Sequence, residues 1–163
     1  MSGPLPHGPG ELRPGTRFRT RGRTVTETDV VSFATLTGDF HPVHTDVEWA
    51  AESEFGGRIV HGALLLSYSV GLLAFDPERV LALRGFERVV FKRPVRIGDT
   101  IAVEGRVEAE RELDAHRRLV VLDLKIVNQR GEGVALATAR VLWRGPTQAA
   151  PEAPEAERQE VYL

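Results

Sequence analysis

The sequence predicts an α+β fold in which a long helix lies in the concavity of a curved antiparallel sheet. The segment ALLLSYSVGLLAF, residues 63 to 75, is uncharged and apolar around most of its circumference. Such a pattern is typical of a helix enclosed on nearly all sides. The second half of the chain has a hydrophobic period of two, which indicates antiparallel strands. A curved sheet is the element available to enclose the helix.

Composition indicates one folded domain, residues 16 to 144. Residues 1 to 15 and 145 to 163 are rich in proline, and both are predicted to be disordered tails. The net charge of -2 gives no electrostatic support for nucleic-acid binding. The absence of cysteine excludes disulfides, thiolate metal sites and cysteine nucleophiles. No apolar run has the length of a signal peptide or a membrane span, so we expect a cytoplasmic protein without membrane contact.

Local signals predict the elements that open the domain. Residues 16 to 25, TRFRTRGRTV, are expected to form a strand or a hairpin bent at Gly22. Thr26 and Asp29 have the spacing of a capping box, which predicts a helix over 27 to 36.

Glycine and aspartate signals predict where the next helices end and begin. Gly38 is placed to end the first helix. Asp46 is expected to cap a short helix over 47 to 54, which Gly56 and Gly57 would end.

Four strands are predicted after the long helix, in VLALRGFERVVFKRPV, DTIAVEGRVEAERE, RRLVVLDLKIVNQ and GVALATARVLWRG. A hairpin turn is expected over residues 129 to 132, QRGE. Strict alternation in the last two strands predicts two buried rows, Val120, Leu122, Leu124 and Ile126 in one strand and Ala135, Ala137, Ala139, Val141 and Trp143 in the other.

The loop TGDFHPVHTD, residues 37 to 46, contains a candidate acid–base pair. Asp39 and His44 lie in a segment bounded by Gly38 and Pro42, which can hold both side chains rigidly. Histidine titrates near neutral pH, and a neighbouring carboxylate can tune and orient it. The pair is therefore a candidate for moving protons, although this spacing is also common by chance.

Gly62 is a candidate oxyanion donor at the start of the long helix. The first backbone N–H groups of a helix lack partners and lie at the positive end of its dipole. Glycine has no side chain, so a substrate carbonyl can approach its N–H closely. Such a donor stabilises negative charge on a carbonyl oxygen. An acid–base pair beside it suggests chemistry next to an acyl carbonyl.

Three blocks of the sequence, taken in order, resemble one family. TGDFHPVHTD is similar to the G-D-x-N-P-[LIV]-H-x-D motif of the MaoC-like dehydratases, the R-specific enoyl-CoA hydratases of the hot-dog fold. FGGRIVHGALLLS, from residue 55, resembles that family's F-x-x-x-I-x-H-G-x-L-x-x-S block. FKRPVRIGDTIAVEGRVE, from residue 91, resembles its later F-x-x-P-V-x-x-G-D pair of strands. The resemblance covers residues 16 to 144 and implies a sheet wrapped around a central helix.

The resemblance also implies an activity and its residues. The reaction is syn addition of water to a trans-2-enoyl thioester, or dehydration of an (R)-3-hydroxyacyl thioester. Asp39 and His44 would hold the catalytic water, and the Gly62 N–H would bind the thioester oxygen. We assign His44 as the base and Asp39 as the proton donor. No metal or other cofactor is expected, because the thioester on coenzyme A or an acyl carrier protein supplies the activation. The family's functional unit is at least a homodimer whose sheets join edge to edge.

Two positions depart from the family pattern. His41 stands where the family has asparagine, so it is expected either to replace that residue by hydrogen bonding or to shift the pH profile. Val70 stands where some members have serine. Both departures leave the substrate's identity open.

Several nearby residues have structural alternatives to a role in the site. His41 is more simply a loop brace than a third catalytic group, although a metal site of His41, His44 and Asp46 is conceivable. His61 is expected to fix the loop that enters the long helix. Ser67 is expected to bond to its own backbone, with substrate contact as the alternative.

Basic residues in the first of the four predicted strands are candidate contacts for coenzyme A or carrier phosphates. A solvated charged face is the alternative explanation. The set is Arg84, Arg88, Lys92 and Arg93.

Two other functions compete with hydration. A hot-dog thioesterase has the same fold but usually carries a carboxylate on or near its central helix, and residues 63 to 75 contain no acid. A non-catalytic acyl-binding subunit usually lacks the aspartate or the histidine, and this chain has both Asp39 and His44.

Overall fold

The computed structural model describes residues 13–145. The predicted order of a strand region, helices and four long strands is confirmed. The predicted tails fall almost wholly outside the described residues, so the predicted domain limits stay predictions. The elements are β1 (Arg17–Arg19), β2 (Arg23–Thr24), α1 (Glu27–Thr37), α2 (Pro42–Thr45), α3 (Val47–Glu52), α4 (Gly62–Leu73), β3 (Val80–Phe91), β4 (Thr100–Asp114), β5 (Arg117–Val127) and β6 (Gly133–Arg144).

The strands form an antiparallel sheet in the order β1-β4-β5-β6-β3, and β2 also pairs with β4. Of the strand or hairpin expected at residues 16 to 25, strand structure on either side of Gly22 is confirmed, and the hairpin is wrong, because β1 and β2 pair with β4 and not with each other. β4 is 15 residues long, so its free edge accepts both short strands in succession. The long strand β3 pairs with β6 and ends the sheet at the opposite edge.

One face of the sheet and one side of α4 form the core. The two predicted rows in β5 and β6 are confirmed, since every member is buried. Facing pairs such as Leu124 and Ala137 lie on the same side of the sheet. The helix contributes a buried row to the same cluster, Leu64, Leu65, Leu72 and Leu73.

The expectation that α4 is enclosed on nearly all sides is wrong for the single chain. Ala63, Ser67 and Gly71 are exposed, and their spacing of four places them in one row along the helix. These residues are small or weakly polar, so the sequence pattern does not distinguish this exposed row from a buried one. The helix ends at Leu73, two residues before its predicted end, and Ala74 follows in the left-handed conformation with φ 48°.

Most helix boundaries follow the predicted capping signals. Thr26 and Asp29 form the expected capping box, and Gly38 ends α1 with φ 78°. Asp46 caps α3 by accepting the Trp49 N–H. The predicted end of α3 is wrong, because the helix stops at Glu52 before either glycine. None of the helices in residues 13–145 is long and apolar enough to cross a membrane.

Candidate active site

The loop between α1 and α3 is fixed by two successive hydrogen bonds, in each of which a side chain accepts a backbone N–H. The Asp39 carboxylate accepts the His41 N–H at 3.3 Å. The His41 Nδ1 in turn accepts the Val43 N–H at 3.2 Å. These bonds lead directly into α2, on which His44 lies. Both members of the predicted acid–base pair are therefore held by the same short network.

His41 acts as the N-cap of α2. Asparagine is among the preferred N-cap residues because its side-chain oxygen accepts an N–H of the first turn. In His41 the imidazole Nδ1 accepts that hydrogen bond, and the ring also lies 5.6 Å from that of Trp49. The structure thus supports the first of the two expectations for this position, replacement of the family asparagine by hydrogen bonding.

Substituting His41 tests this capping role. We expect His41→Asn to retain the free energy of unfolding and His41→Ala to lose about 1 kcal/mol, since only the first keeps an acceptor for the Val43 N–H. Urea unfolding of both variants measures the difference. Equal stability of the alanine and asparagine variants contradicts the cap.

The surroundings of His44 set its tautomer. Its Nδ1 lies 2.8 Å from the carbonyl oxygen of Ile59. A carbonyl only accepts, so Nδ1 carries the proton and the Nε2 lone pair is left for chemistry. Burial lowers the pKa of His44 below its ordinary value of 6.5, against the opposing effect of the bond to Ile59. His44 is therefore a neutral base at pH 7.

The segment that supplies this carbonyl is itself anchored. Arg58 donates to both carboxylate oxygens of Glu27, at 2.8 and 2.6 Å, which ties the segment to the start of α1. The Ile59 N–H donates to the Val43 carbonyl at 3.1 Å. The acceptor for His44 is thus held from both α1 and α2.

His61 supports both members of the pair from beneath. It is 1% exposed, and its Nε2 donates to the backbone carbonyl of Asp39 at 3.0 Å. Its ring stacks on that of His44, with centroids 3.8 Å apart and planes at 27°. Its Nδ1 is buried without a hydrogen-bond partner. His61 therefore does more than fix the loop before α4, because it also contacts both members of the candidate acid–base pair.

Asp39, His44 and His61 each offer an atom within 4.8 Å of the other two. Two hydrogen bonds of about 2.8 Å span a separation of this order, so the Asp39 carboxylate and the His44 imidazole are close enough to share one water. The three residues also form a possible metal-ligand group among the described residues, unlike the earlier set of His41, His44 and Asp46. The His61 Nε2 carries the proton that it donates to the Asp39 carbonyl, so only its buried Nδ1 keeps a lone pair for a metal. The absence of a metal stays a prediction.

Gly62 is the first residue of α4, so its N–H has no partner within the helix. The space that a side chain would fill is occupied. An ideal Cβ on Gly62 would lie 2.7 Å from two ring atoms of Phe91. Any other residue here would force the Phe91 ring to shift, so packing within the protein favours glycine, a reason that the sequence does not reveal.

Comparison with known proteins identifies the family. The model of the MaoC-like domain matches residues 11–129. The chain belongs to the MaoC-like family. It is 44% identical over 109 residues to protein MaoC of Klebsiella aerogenes, a match that covers 66% of this chain and 32% of that protein. It is 36% identical over 103 residues to the (R)-specific enoyl-CoA hydratase of Aeromonas caviae, a match that covers 63% of this chain and 75% of that protein. The chain thus spans about a third of the first relative and three quarters of the second.

Solved structures agree on the fold of this MaoC-like chain. A monoamine oxidase regulatory protein from Archaeoglobus is similar with a TM-score of 0.76 at 41% identity, covering 81% of this chain and 90% of that one. The (R)-hydratase of A. caviae is similar with a TM-score of 0.69 at 32% identity, and the match covers 81% of this chain and 97% of that one. A double hot-dog protein of Mycobacterium tuberculosis, 18% identical and with a TM-score of 0.71, covers 89% of this chain and 51% of its own. The MaoC-like chain has the hot-dog fold.

The remaining predicted residues lie at different distances from the MaoC-like site. Ser67 donates to the Ala63 carbonyl at 2.9 Å, as expected, one turn along α4 from Gly62. Arg88 contacts Thr138 and Glu108 on the sheet face opposite α4, which argues against a phosphate contact there.

The other three basic candidates are exposed. Arg93 donates to the Gly133 carbonyl at 2.9 Å. Lys92 and Arg93 directly follow Phe91, whose ring contacts the start of α4. Their role with phosphate, like that of Arg84, stays a prediction.

Sequence reasoning missed two contributors to the site, Ile59 and Phe91. Ile59 acts through its backbone carbonyl, and no residue type signals that. Phe91 is the first residue of the third family block, and that position was the one available signal.

Proposed function

We propose that this MaoC-like protein is an (R)-specific enoyl-thioester hydratase, or the corresponding 3-hydroxyacyl-thioester dehydratase. One observation carries the proposal: His44, whose Nε2 is left free by the bond of Nδ1 to Ile59, and Asp39 each offer an atom within 4.8 Å of the other. The water that they would share is part of the proposal. The names of the relatives support it, since A. caviae has an (R)-specific enoyl-CoA hydratase and Methylorubrum extorquens a 3-hydroxybutyryl-CoA dehydratase.

In hydration, the water oxygen forms a bond to Cβ of the enoyl group while His44 Nε2 takes one of its protons. The electron pair of the double bond moves towards the carbonyl, and the Gly62 N–H stabilises the charge on the thioester oxygen. The proton that His44 has taken passes to the Asp39 carboxylate, and Asp39 delivers it to Cα. One proton leaves water and one reaches carbon, so both residues end in the states in which they began. Dehydration is the reverse, and no cofactor takes part.

A thioesterase receives less support from this site. Helix α4 contains no acidic residue of the kind that a hot-dog thioesterase usually carries there. Release of free thiol from a saturated acyl-CoA, without hydration of an enoyl-CoA, would favour hydrolysis.

We also propose that a second copy of the chain completes the sheet at β3. Within residues 13–145 this edge strand pairs only with β6, and it exposes apolar side chains that include Leu81 and Leu83. Sedimentation of the full chain as a monomer at assay concentration contradicts the dimer.

The decisive assay follows loss of the conjugated thioester from trans-2-butenoyl and longer enoyl thioesters, on coenzyme A and on a carrier protein. We expect an (R)-3-hydroxyacyl product and no effect of a chelator. Because the pKa of His44 is lowered, its base form persists on acidification, so the acid limb of kcat/KM is expected below pH 6.5. Folded protein that turns over none of these thioesters contradicts the proposal, and an acid limb above pH 6.5 contradicts the assignment of His44.

A further inference from the structure

The contact between Phe91 and Gly62 carries a further inference. Two ring atoms lie 2.7 Å from an ideal Gly62 Cβ, closer than real Cβ atoms come to their neighbours, and a third lies at 3.0 Å, a tight contact. A methyl group at position 62 therefore requires this ring to shift. The room that the missing side chain leaves is filled by Phe91, before any substrate arrives.

The backbone holds the ring in this place. Phe91 is the last residue of β3 and faces Ala135, a buried member of the inner face of β6. The next residue, Lys92, donates its N–H to the Val134 carbonyl at 2.8 Å. The strand is thus paired up to Phe91 and bonded just beyond it.

The ring is nevertheless half exposed, at 50%. The ring lies against Gly62, whose backbone N–H is the first of α4. A thioester oxygen bound by that N–H would therefore bring its carbonyl carbon and the acyl Cα close to the ring. Phe91 therefore limits the room around the acyl Cα.

We propose that Phe91 is a specificity-determining residue that selects enoyl thioesters without a substituent at Cα. This inference rests on the proposed hydratase function. A difference of one methyl group in an apolar pocket changes relative kcat/KM by about 10- to 200-fold. Removing the ring is expected to abolish discrimination of that order.

The test compares trans-2-butenoyl-CoA with trans-2-methyl-2-butenoyl-CoA. We expect wild type to prefer the unbranched thioester, and Phe91→Ala to raise the relative kcat/KM for the branched one at least tenfold. Val90→Ala is the matched control, because Val90 is 47% exposed on the same strand but points to the opposite face. It is expected to keep the wild-type ratio. Phe91→Leu serves if the alanine variant does not fold, and a smaller shift in the same direction is expected.

A second pair of variants tests what fills the room at position 62. Gly62→Ala is expected to lose activity because its methyl group meets the ring. Adding Phe91→Ala should restore part of that activity. If the double variant is as inactive as Gly62→Ala, substrate needs the room and the proposed contact is not the reason for glycine.

The outcomes separate this inference from the function on which it rests. Wild type that is inactive on both thioesters contradicts the proposed function. Wild type that is active, with a Phe91→Ala ratio equal to that of Val90→Ala, contradicts only the role of Phe91.

Discussion

Asp39→Asn and His44→Gln are each expected to lower kcat/KM for enoyl-thioester hydration by about 10²- to 10⁴-fold, the usual contribution of a positioned acid or base. Both replacements remove a proton-transfer group and keep a polar side chain of similar size. The double variant should lose little more than the worse single one, because the two residues act on the same water. Steady-state kinetics on trans-2-butenoyl-CoA measures all three.

Asp46→Asn is the matched control for this prediction. It makes the same chemical change in the same loop, and asparagine still caps α3. Asp39→Asn also keeps an acceptor for the His41 N–H, so unfolding transitions of both variants should stay near that of wild type. Activity within threefold of wild type in Asp39→Asn or His44→Gln would remove that residue from the mechanism.

Gly105→Ala is expected to cause a large loss of stability. An ideal Cβ at this position would lie 2.0 to 2.7 Å from three ring atoms of Phe18, which is 1% exposed. The added methyl group must displace that ring and the strand β1 that carries it. The expected loss is of the size seen for truncating a buried phenylalanine, about 3 to 5 kcal/mol. Chemical denaturation measures it.

Gly85→Ala is the control, since Gly85 also lies within a strand and a Cβ there meets nothing within 4 Å. It is expected to be neutral or slightly stabilising. In the double variant Phe18→Ala, Gly105→Ala the second change should add little to the first, because the clash is gone. A Gly105→Ala variant as stable as Gly85→Ala contradicts the contact.

Features that depend on near neighbours in the chain were predictable. The capping box of Thr26 and Asp29 joins residues three apart, and alternation along β5 needs only the strand itself. Asp39 and His44 both lie in the segment between α1 and α3, so the two residues could be matched to a single family motif. The site's architecture beyond that loop was less accessible, because Ile59 contributes through backbone and Phe91 from a distant strand.

By itself, the sequence determined the fold class, the long helix, the strand faces and the candidate acid–base loop. Each depends on periodicity or spacing within one segment, or on motif order along the chain. Only the tertiary structure decided that β1 and β2 both pair with β4, that one row of α4 is exposed, and that Phe91 occupies the space beside Gly62. Those outcomes depend on which distant segments contact each other in the fold. How the side chains pack at such contacts cannot be read from any one segment of the sequence.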